Sequence, residues 1–410
     1  MKKTCVFTGS RADYGLLKPL IKKISENKNF KPQLVVSGSH LSKSFGYTID
    51  EINSDSIHID ETVEILLDSD TPSGILKSMG IGLINFTESI NRLQPDISII
   101  LGDRFEALLF AICCYINQIP ICHIHGGEIT SGSFDDGIRH SITKFSYLHF
   151  TSTEQYRKRV IQLGEDPSRV FNVGALAVDN ILNTEFYTKS EVEQKLGVKF
   201  KKYNFLITFH ASTIKYKSAE AEFVQLLEAL SYIDNSLLIF TKANADPSGR
   251  RINELIDNFV LRNKGNAVVF ASLGEKLYLS TMKYVTAIIG NSSSGIIEAP
   301  VLKIPTINIG DRQSGRIKPD SVIDCQPFKE DILSAVTKAI SDSFQKNLEN
   351  LKNPYGDGHT AEKIVKILMI FKLKIKRKLF MILMDMIYER YFYFPFYVYN
   401  RCFKKIRYYI

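Results

Sequence analysis

DISIILGDRFEALLFAICCYINQIPICHIHGGE, residues 96–128, runs from a short apolar, β-branched segment through a Gly-Asp turn and a longer helical pattern into a second such segment. That order predicts a strand, a helix and a second strand, the unit from which parallel sheets are built. The same rhythm extends in both directions. TCVFTG (4–9), PQLVVSG (32–38), LHFTST (148–153) and VFNVG (170–174) each lead into a Gly- or Ser-containing turn. It starts again with NFLITFH (204–210), LLIFTKA (237–243), AVVFAS (267–272), TAIIGNSSSG (286–295) and PTINIG (305–310). Two sets of parallel strands predict two Rossmann-like α/β domains, with the boundary near residues 174–183. Ligands of such sheets bind beyond the carboxyl ends of the strands, so the polar residues just after each strand are the candidates for chemistry.

Composition agrees with this division. A chain of 410 residues, 44% hydrophobic, can bury a large core and exceeds what one core usually supports. Disorder is excluded on the same grounds. The six cysteines form no CxxC pair, so neither a zinc site nor a disulfide framework is expected, which suits a reducing cytosol. MKKT runs straight into a strand-like segment without the pattern of a signal peptide, and no apolar run reaches a membrane span. A cytoplasmic protein is therefore expected. The net charge of +8 suggests nucleic acid until it is located. From Phe371 onward ten Lys/Arg face only Asp385 and Glu389, a surplus equal to that of the whole chain, so residues 1–370 are balanced and nucleic acid is not an expected partner. Residues 372–410 also hold 12 of the 45 aromatics. Their composition fits a surface-lying amphipathic segment at a membrane and equally an extra helix packed on the body or on another subunit.

Four segments could carry chemistry. GSRADYG (9–15) sets Arg11 beside a glycine turn at a helix start, a plausible anion site but not a dinucleotide fingerprint; an ordinary surface arginine fits nearly as well. GNSSSGIIEAP (290–300) offers Ser292 and Ser293 beside free backbone N–H groups, suited to a diphosphate, and Glu298 about a turn later, suited to ribose hydroxyls. A Ser-rich cap accounts for one serine better than for three. In the opening segment Asp103 and Arg104 follow a strand, where Asp103 could cap a helix or move protons near a phosphate. HIHGGE (123–128) and DDGIRHSITK (135–144) gather Glu128, Asp135, Asp136, Arg139 and three histidines. Metal binding by His123, His125 and Glu128 ranks low because no fourth ligand has suitable spacing. Crowded carboxylates near an anion site point instead to acid–base work. His149 and His359 read as satisfied polar residues, whereas His210 ends a strand and could face a leaving phosphate or simply be buried.

Taken together, GSRADYG, GSHLSKSFG, LGDRFEAL, HIHGGE, DDGIRHSITK, GNSSSGIIEAP and INIGDRQSGR resemble, in order and over residues 1–370, the hydrolysing UDP-N-acetylglucosamine 2-epimerases of sialic acid biosynthesis. The resemblance implies an α/β fold of GT-B type, two Rossmann-like domains with parallel sheets facing a central cleft. Residues 1–174 would carry the catalytic carboxylates, residues 175–370 would bind UDP, and residues 371–410 would be a basic, aromatic extension. It places Arg11, Arg104, Asn244, Ser292, Ser293, Glu298 and Arg312 on UDP, with His210 among the catalytic group beside Asp103, Glu128 and Asp135. Asp136 stands next to Asp135, and the pattern does not separate the two. One departure is His210-Ala211, where the family commonly has His-Pro, a difference that bears on the shape of that loop more than on the role of His210. The implied reaction removes UDP to leave a 2-acetamidoglucal and then adds water, giving N-acetylmannosamine without metal or cofactor. Homo-oligomers are expected from the same resemblance. The nearest rival substrate is UDP-2,4-diacetamido-2,4,6-trideoxyglucose of the legionaminic acid pathway. A non-hydrolysing epimerase, a glycosyltransferase of like fold and a silent nucleotide-sugar sensor are the more distant readings; three carboxylates are more than transfer or sensing requires.

Overall fold

The computed structural model describes residues 1–43, 46–67, 69, 71–129, 135–210, 219–243 and 249–371. Seven strands of the first half are β1 (Lys2–Thr8), β2 (Phe30–Ser37), β3 (Glu61–Val63), β4 (Ile97–Leu101), β5 (Ile121–Ile124), β6 (Leu148–Thr151) and β7 (Val170–Asn172). They pair in parallel in the order β3-β2-β1-β4-β5-β6-β7. The second sheet comprises β8 (Tyr203–Thr208), β9 (Ser236–Thr241), β10 (Ala267–Phe270), β11 (Ala287–Gly290), β12 (Thr306–Ile309) and β13 (Val322–Cys325). It is also parallel, in the order β10-β9-β8-β11-β12-β13. The expected α/β class with two parallel-sheet domains is what forms. The apolar runs read from the sequence became strands; β3 and β13, which no such run announced, are both short sheet edges.

Central strands are buried on both faces, as the unbroken burial of Ile97–Leu101 shows, because helices cover both sides of each sheet. On one face of the first sheet the helix Arg11–Ser25 packs Leu17, Leu20, Ile21 and Ile24 against Val6, Leu34, Val36 and Ile99. Ser10 caps that helix by accepting from Asp13 N at 3.3 Å, which contributes about 1 kcal/mol. On the other face Phe7 stacks on Phe110 at 4.9 Å, and Phe86 stands edge-on to both. Such ring pairs add about 0.5–1.5 kcal/mol each beyond burial. Cys5, Cys113, Cys114 and Cys122 are buried free thiols that fill these cores.

The two halves meet in a small apolar cluster of Tyr156, Ala175, Val178, Ile296 and Tyr355. The chain crosses there twice: Ala175 N donates to Tyr355 O at 2.7 Å, and Asp179 accepts from Thr360 N and Ala361 N at 2.9 and 2.8 Å. The helix Thr360–Ile370 then returns to the first sheet, where Ala361, Ile364, Val365 and Leu368 join the core around β1.

Each strand order reverses direction once, between β1 and β4 and between β8 and β11. A crevice opens at the carboxyl edge wherever adjacent crossovers leave on opposite faces, so each sheet offers one such crevice.

Candidate active site

At the first crevice the residue after β4 is Gly102, held at φ +78, a left-handed conformation that glycine adopts without the penalty a Cβ would bring. It turns the chain so that Asp103 reaches Arg139, with which it forms a close ion pair. Arg139 belongs to the helix Asp135–Phe145 and is almost fully buried; it also donates to Glu128 O at 2.8 Å and to Asp136 Oδ1 at 2.9 Å. One guanidinium thus ties three segments together. After β5, His125 takes φ +67, a strained value for a residue with a Cβ, and the chain swings through Gly126 and Gly127 to Glu128. Glu128 is buried; its Oε1 accepts from Ser152 Oγ at 3.0 Å and faces His125 Nδ1 at 3.6 Å, while Oε2 faces Arg316 Nη1 at 3.5 Å.

These surroundings drive the two acids apart. Burial pushes the Asp103 carboxyl above the ordinary carboxylate range, opposed by Arg139 and reinforced by Asp135. Burial acts on Glu128 too, but Arg316, His125, Arg139 and the Ser152 hydroxyl together outweigh it and hold that carboxyl below its ordinary value. Two neighbouring carboxyls with opposite shifts are suited to divide acid and base roles. His123 stands apart from this chemistry. Its ring bonds Thr143 Oγ1 at 3.0 Å and Gly102 O at 2.8 Å, and burial lowers its pKa to about 3. It is a neutral strut that braces the Gly102 turn, and with both nitrogens engaged it offers nothing to a metal.

At the second crevice Gly290, at φ +140, lies so close to Thr208 O that a Cβ there would overlap the carbonyl. Asn291 follows, buried, and clasps the end of β8: His210 N donates to Asn291 Oδ1 and Asn291 Nδ2 to His210 O, both at 2.8 Å. Arg312 Nη1 and Gln313 Nε2 both donate to Asn291 O, at 2.9 and 2.8 Å. His210 is buried, and this lowers its pKa to about 4 with help from Arg312, so its ring is neutral at pH 7. Ser293 precedes the one-turn helix Ser294–Ile297, and Ser294 Oγ donates to Glu298 while accepting from Tyr278 Oη at 3.0 Å. Burial raises the Glu298 carboxyl above its ordinary range.

One cavity of about 180 Å³ joins the two crevices. Asp103, His125, Glu128 and Arg139 line it from the first sheet, and Ser293, Ser294, Glu298 and Arg316 from the second. Other residues singled out in the sequence fall around it. Arg11 begins the first helix, half exposed and 3.8 Å from Glu51; Arg104 is tied to the buried Glu106 at 3.3 Å. Asp135 opens its helix close enough to raise Asp103, whereas Asp136 is paired with Arg139 and stands 3.4 Å from His140. Asn244 lies outside the described residues, as do residues 372–410. Sequence reasoning missed Asp13, Arg316 and Tyr278 as site residues. Asp13 and Arg316 had a usable signal, standing in the quoted GSRADYG and INIGDRQSGR segments; Tyr278 stands in a helix context that announces nothing.

The geometry can be set beside known proteins. A family model described as UDP-N-acetylglucosamine 2-epimerase matches residues 22–369. The chain belongs to this family. Among curated 2-epimerase relatives, a GDP/UDP-N,N'-diacetylbacillosamine 2-epimerase (hydrolyzing) of Campylobacter jejuni is 44% identical, over 89% of this chain and 94% of the relative. Polysialic acid biosynthesis protein P7 of Escherichia coli is 39% identical, over 92% and 96%. The UDP-GlcNAc 2-epimerase of Neisseria meningitidis, solved bound to UDP-GlcNAc, superposes with a TM-score of 0.78 at 18% identity, covering 90% of this chain and all (100%) of that one. That likeness concerns the fold, and the fold of this 2-epimerase family member is accordingly of GT-B type. Among its described residues no helix is long and apolar enough to cross a membrane.

Proposed function

We propose that the protein is a hydrolysing 2-epimerase of a UDP-2-acetamido sugar. The observation that carries this is the single cavity where two carboxyls of opposed proton affinity face a serine-lined helix start and a ribose-suited glutamate. In the proposed division residues 1–174 supply the acids and residues 175–370 hold UDP, with the helix Thr360–Ile370 crossing back. Ser292, Ser293 and the N–H groups beside them receive the diphosphate, joined by Arg11, Arg104, Asn244 and Arg312; Glu298 takes the ribose hydroxyls.

The chemistry accounts for these residue types. The hydrogen on sugar C2 is not acidic while UDP is attached, since no carbonyl adjoins it. Breaking the C1–O bond to UDP leaves oxocarbenium character at C1, and a carboxylate can then take the C2 proton. Glu128, held ionised, is the base, and the product is a 2-acetamidoglucal. Hydration returns a proton to C2 from the opposite face while water, losing its own proton to a carboxylate, adds to C1. Asp103, pushed upward by burial, is suited to the acid role, with Asp135 adjoining it. Arginine and serine donors stabilise the departing diphosphate as its charge develops, and His210 stands by the same phosphates. Free UDP and the 2-epimeric sugar leave.

UDP-2,4-diacetamido-2,4,6-trideoxyglucose is the first substrate to test, because the 44%-identical relative bears the name of an enzyme for that sugar. UDP-N-acetylglucosamine is the second reading, supported by its place in the description of the family model that matches residues 22–369. Incubation with each sugar, phosphorus NMR of UDP and proton NMR of the freed sugar decide between them. Release of UDP with the manno-configured sugar from one of them is the expected result; UDP-N-acetylmannosamine with no free UDP would mean a non-hydrolysing epimerase.

A further inference from the structure

Glu128 stands at the end of the first sheet, yet one of the charges that governs it comes from the second. Arg316 lies between β12 and β13, just after Gly315 at φ +83. Its side chain is 15% exposed and that of Glu128 is 5% exposed, with 3.5 Å between Nη1 and Oε2. The loop is pinned at the residue after Arg316: Ile317 N donates to Tyr156 Oη at 3.1 Å, and Tyr355 Oη donates to Ile317 O at 2.8 Å. Tyr156 belongs to the helix Glu154–Gln162 of the first sheet, so the contact spans the cleft. Among the described residues Glu128 is the carboxylate that Arg316 pairs with.

We propose that Arg316 is a positioning residue for Glu128, reaching from the second sheet to aim its carboxylate into the cavity and keep it ionised. The base is then assembled from both sheets rather than carried by one. The physical need is plain. A carboxylate this deeply buried would take up a proton unless opposite charge stood against it, and a hydroxyl such as Ser152 cannot supply that. The other groups facing Glu128 are His125 on its own loop, Arg139 from the helix Asp135–Phe145, Asp103 beyond β4, and the phenols of Tyr156 and Tyr355. Burial works against the charged form of His125, and Arg139 is shared with Asp103 and Asp136. Arg316 is the cation left to Glu128.

This inference rests on the proposed reaction, with Glu128 as base. The test is the pH dependence of kcat for wild type, Arg316→Met and Arg316→Lys, with UDP affinity measured alongside by calorimetry. A base must be ionised, so its activity falls as the pH drops through its pKa; removing the cation raises that pKa and moves the fall to higher pH. The acid limb of Arg316→Met is expected to move up by about one unit or more. Its kcat is lost most at acid pH and recovers toward neutral and alkaline pH, UDP affinity stays within about twofold, and lysine restores part of the loss. An unmoved limb, or UDP affinity falling in step with kcat, overturns the proposal; the latter marks Arg316 as a diphosphate ligand. If the methionine variant does not fold, Glu128→Gln is compared with Glu128→Gln/Arg316→Lys. An arginine acting through Glu128 adds no further loss there, and additive losses refute it. A wild type that releases no UDP sinks the reaction itself; a normal wild type with an unmoved limb sinks only the role of Arg316.

Discussion

The two sheet edges that share the cavity are built from different materials. The edge of the first sheet is ionic: Asp103, Glu128 and Asp136 stand against Arg139, with burial and charge pulling their proton affinities apart. The edge of the second adds neutral groups to its charges, with Asn291 clasping His210 and serines opening a short helix beside Arg312, Arg316 and Glu298. Both sheets have the same strand order about the same kind of switch point, so topology does not produce the difference. It teaches that the fold supplies crevices and the few residues after each strand decide what a crevice does. Ionised groups suit the making and breaking of C–H bonds; neutral donors suit an anion that must be held and then released.

That division can be broken most forcefully by crossing it. Asp103→Asn and Glu128→Gln are expected to lower kcat by about 10²–10⁴-fold while UDP binds as before. Ser292→Ala with Ser293→Ala should do the converse, weakening UDP by about tenfold or more, since hydrogen bonds to charged groups contribute about 1.5–3 kcal/mol each. Steady-state kinetics beside calorimetric UDP titration read both, and wild-type turnover in either carboxylate variant would end the assignment. A second contrast concerns backbone. Gly290→Ala has to displace Thr208 O and should cost about 1–3 kcal/mol in urea unfolding. Gly137→Ala, in the helix of the ionic edge, meets open space and should be neutral or gain up to about 1 kcal/mol. Equal effects would show that the second turn is not under the constraint its φ implies.

The smallest effect tests whether the ionic edge is held at a cost. Burial raises the Asp13 carboxyl from 3.8 to about 6, against the pull of Arg104 and of Ser10. Between those values the folded state binds more protons than the unfolded one, so stability falls as pH rises through about 6. Asp13→Asn should therefore melt higher than wild type at pH 7–8 and match it near pH 4. Thermal melts across that range check it; a variant less stable at pH 8 would show that the ionised form is favoured instead.

Much of this was legible along the chain. Central strands buried on both faces are continuous apolar runs, and the edge strands β7 and β10 keep recognisable runs as well, so β1, β2 and β4 through β12 could be read directly. β3 and β13 could not, because ETV and VIDC are short and mix charged residues with apolar ones, so neither carries such a run. Asp103, Glu128 and Ser293 were legible because each follows a strand closely, and Glu298 because it stands about a turn beyond those serines. His123, weighed and ranked low as a metal ligand in the sequence, spends both ring nitrogens on Thr143 and Gly102, a pairing that only the fold reveals. Adjacent Asp135 and Asp136 were indistinguishable in sequence and differ in space, the second being the one that Arg139 and His140 claim.

Sequence by itself determined the period of the strands, the glycines their turns require and the residue types at each carboxyl edge, because these depend on neighbours a few positions away. Only the tertiary structure decided which charges meet. Arg139 joins Asp103 to Glu128, Arg316 reaches Glu128 from the other sheet, and the helix Thr360–Ile370 returns to the first core. Those contacts join residues far apart in the chain, and the proton affinity of a buried carboxyl is set by whichever charges folding brings within a few ångströms of it.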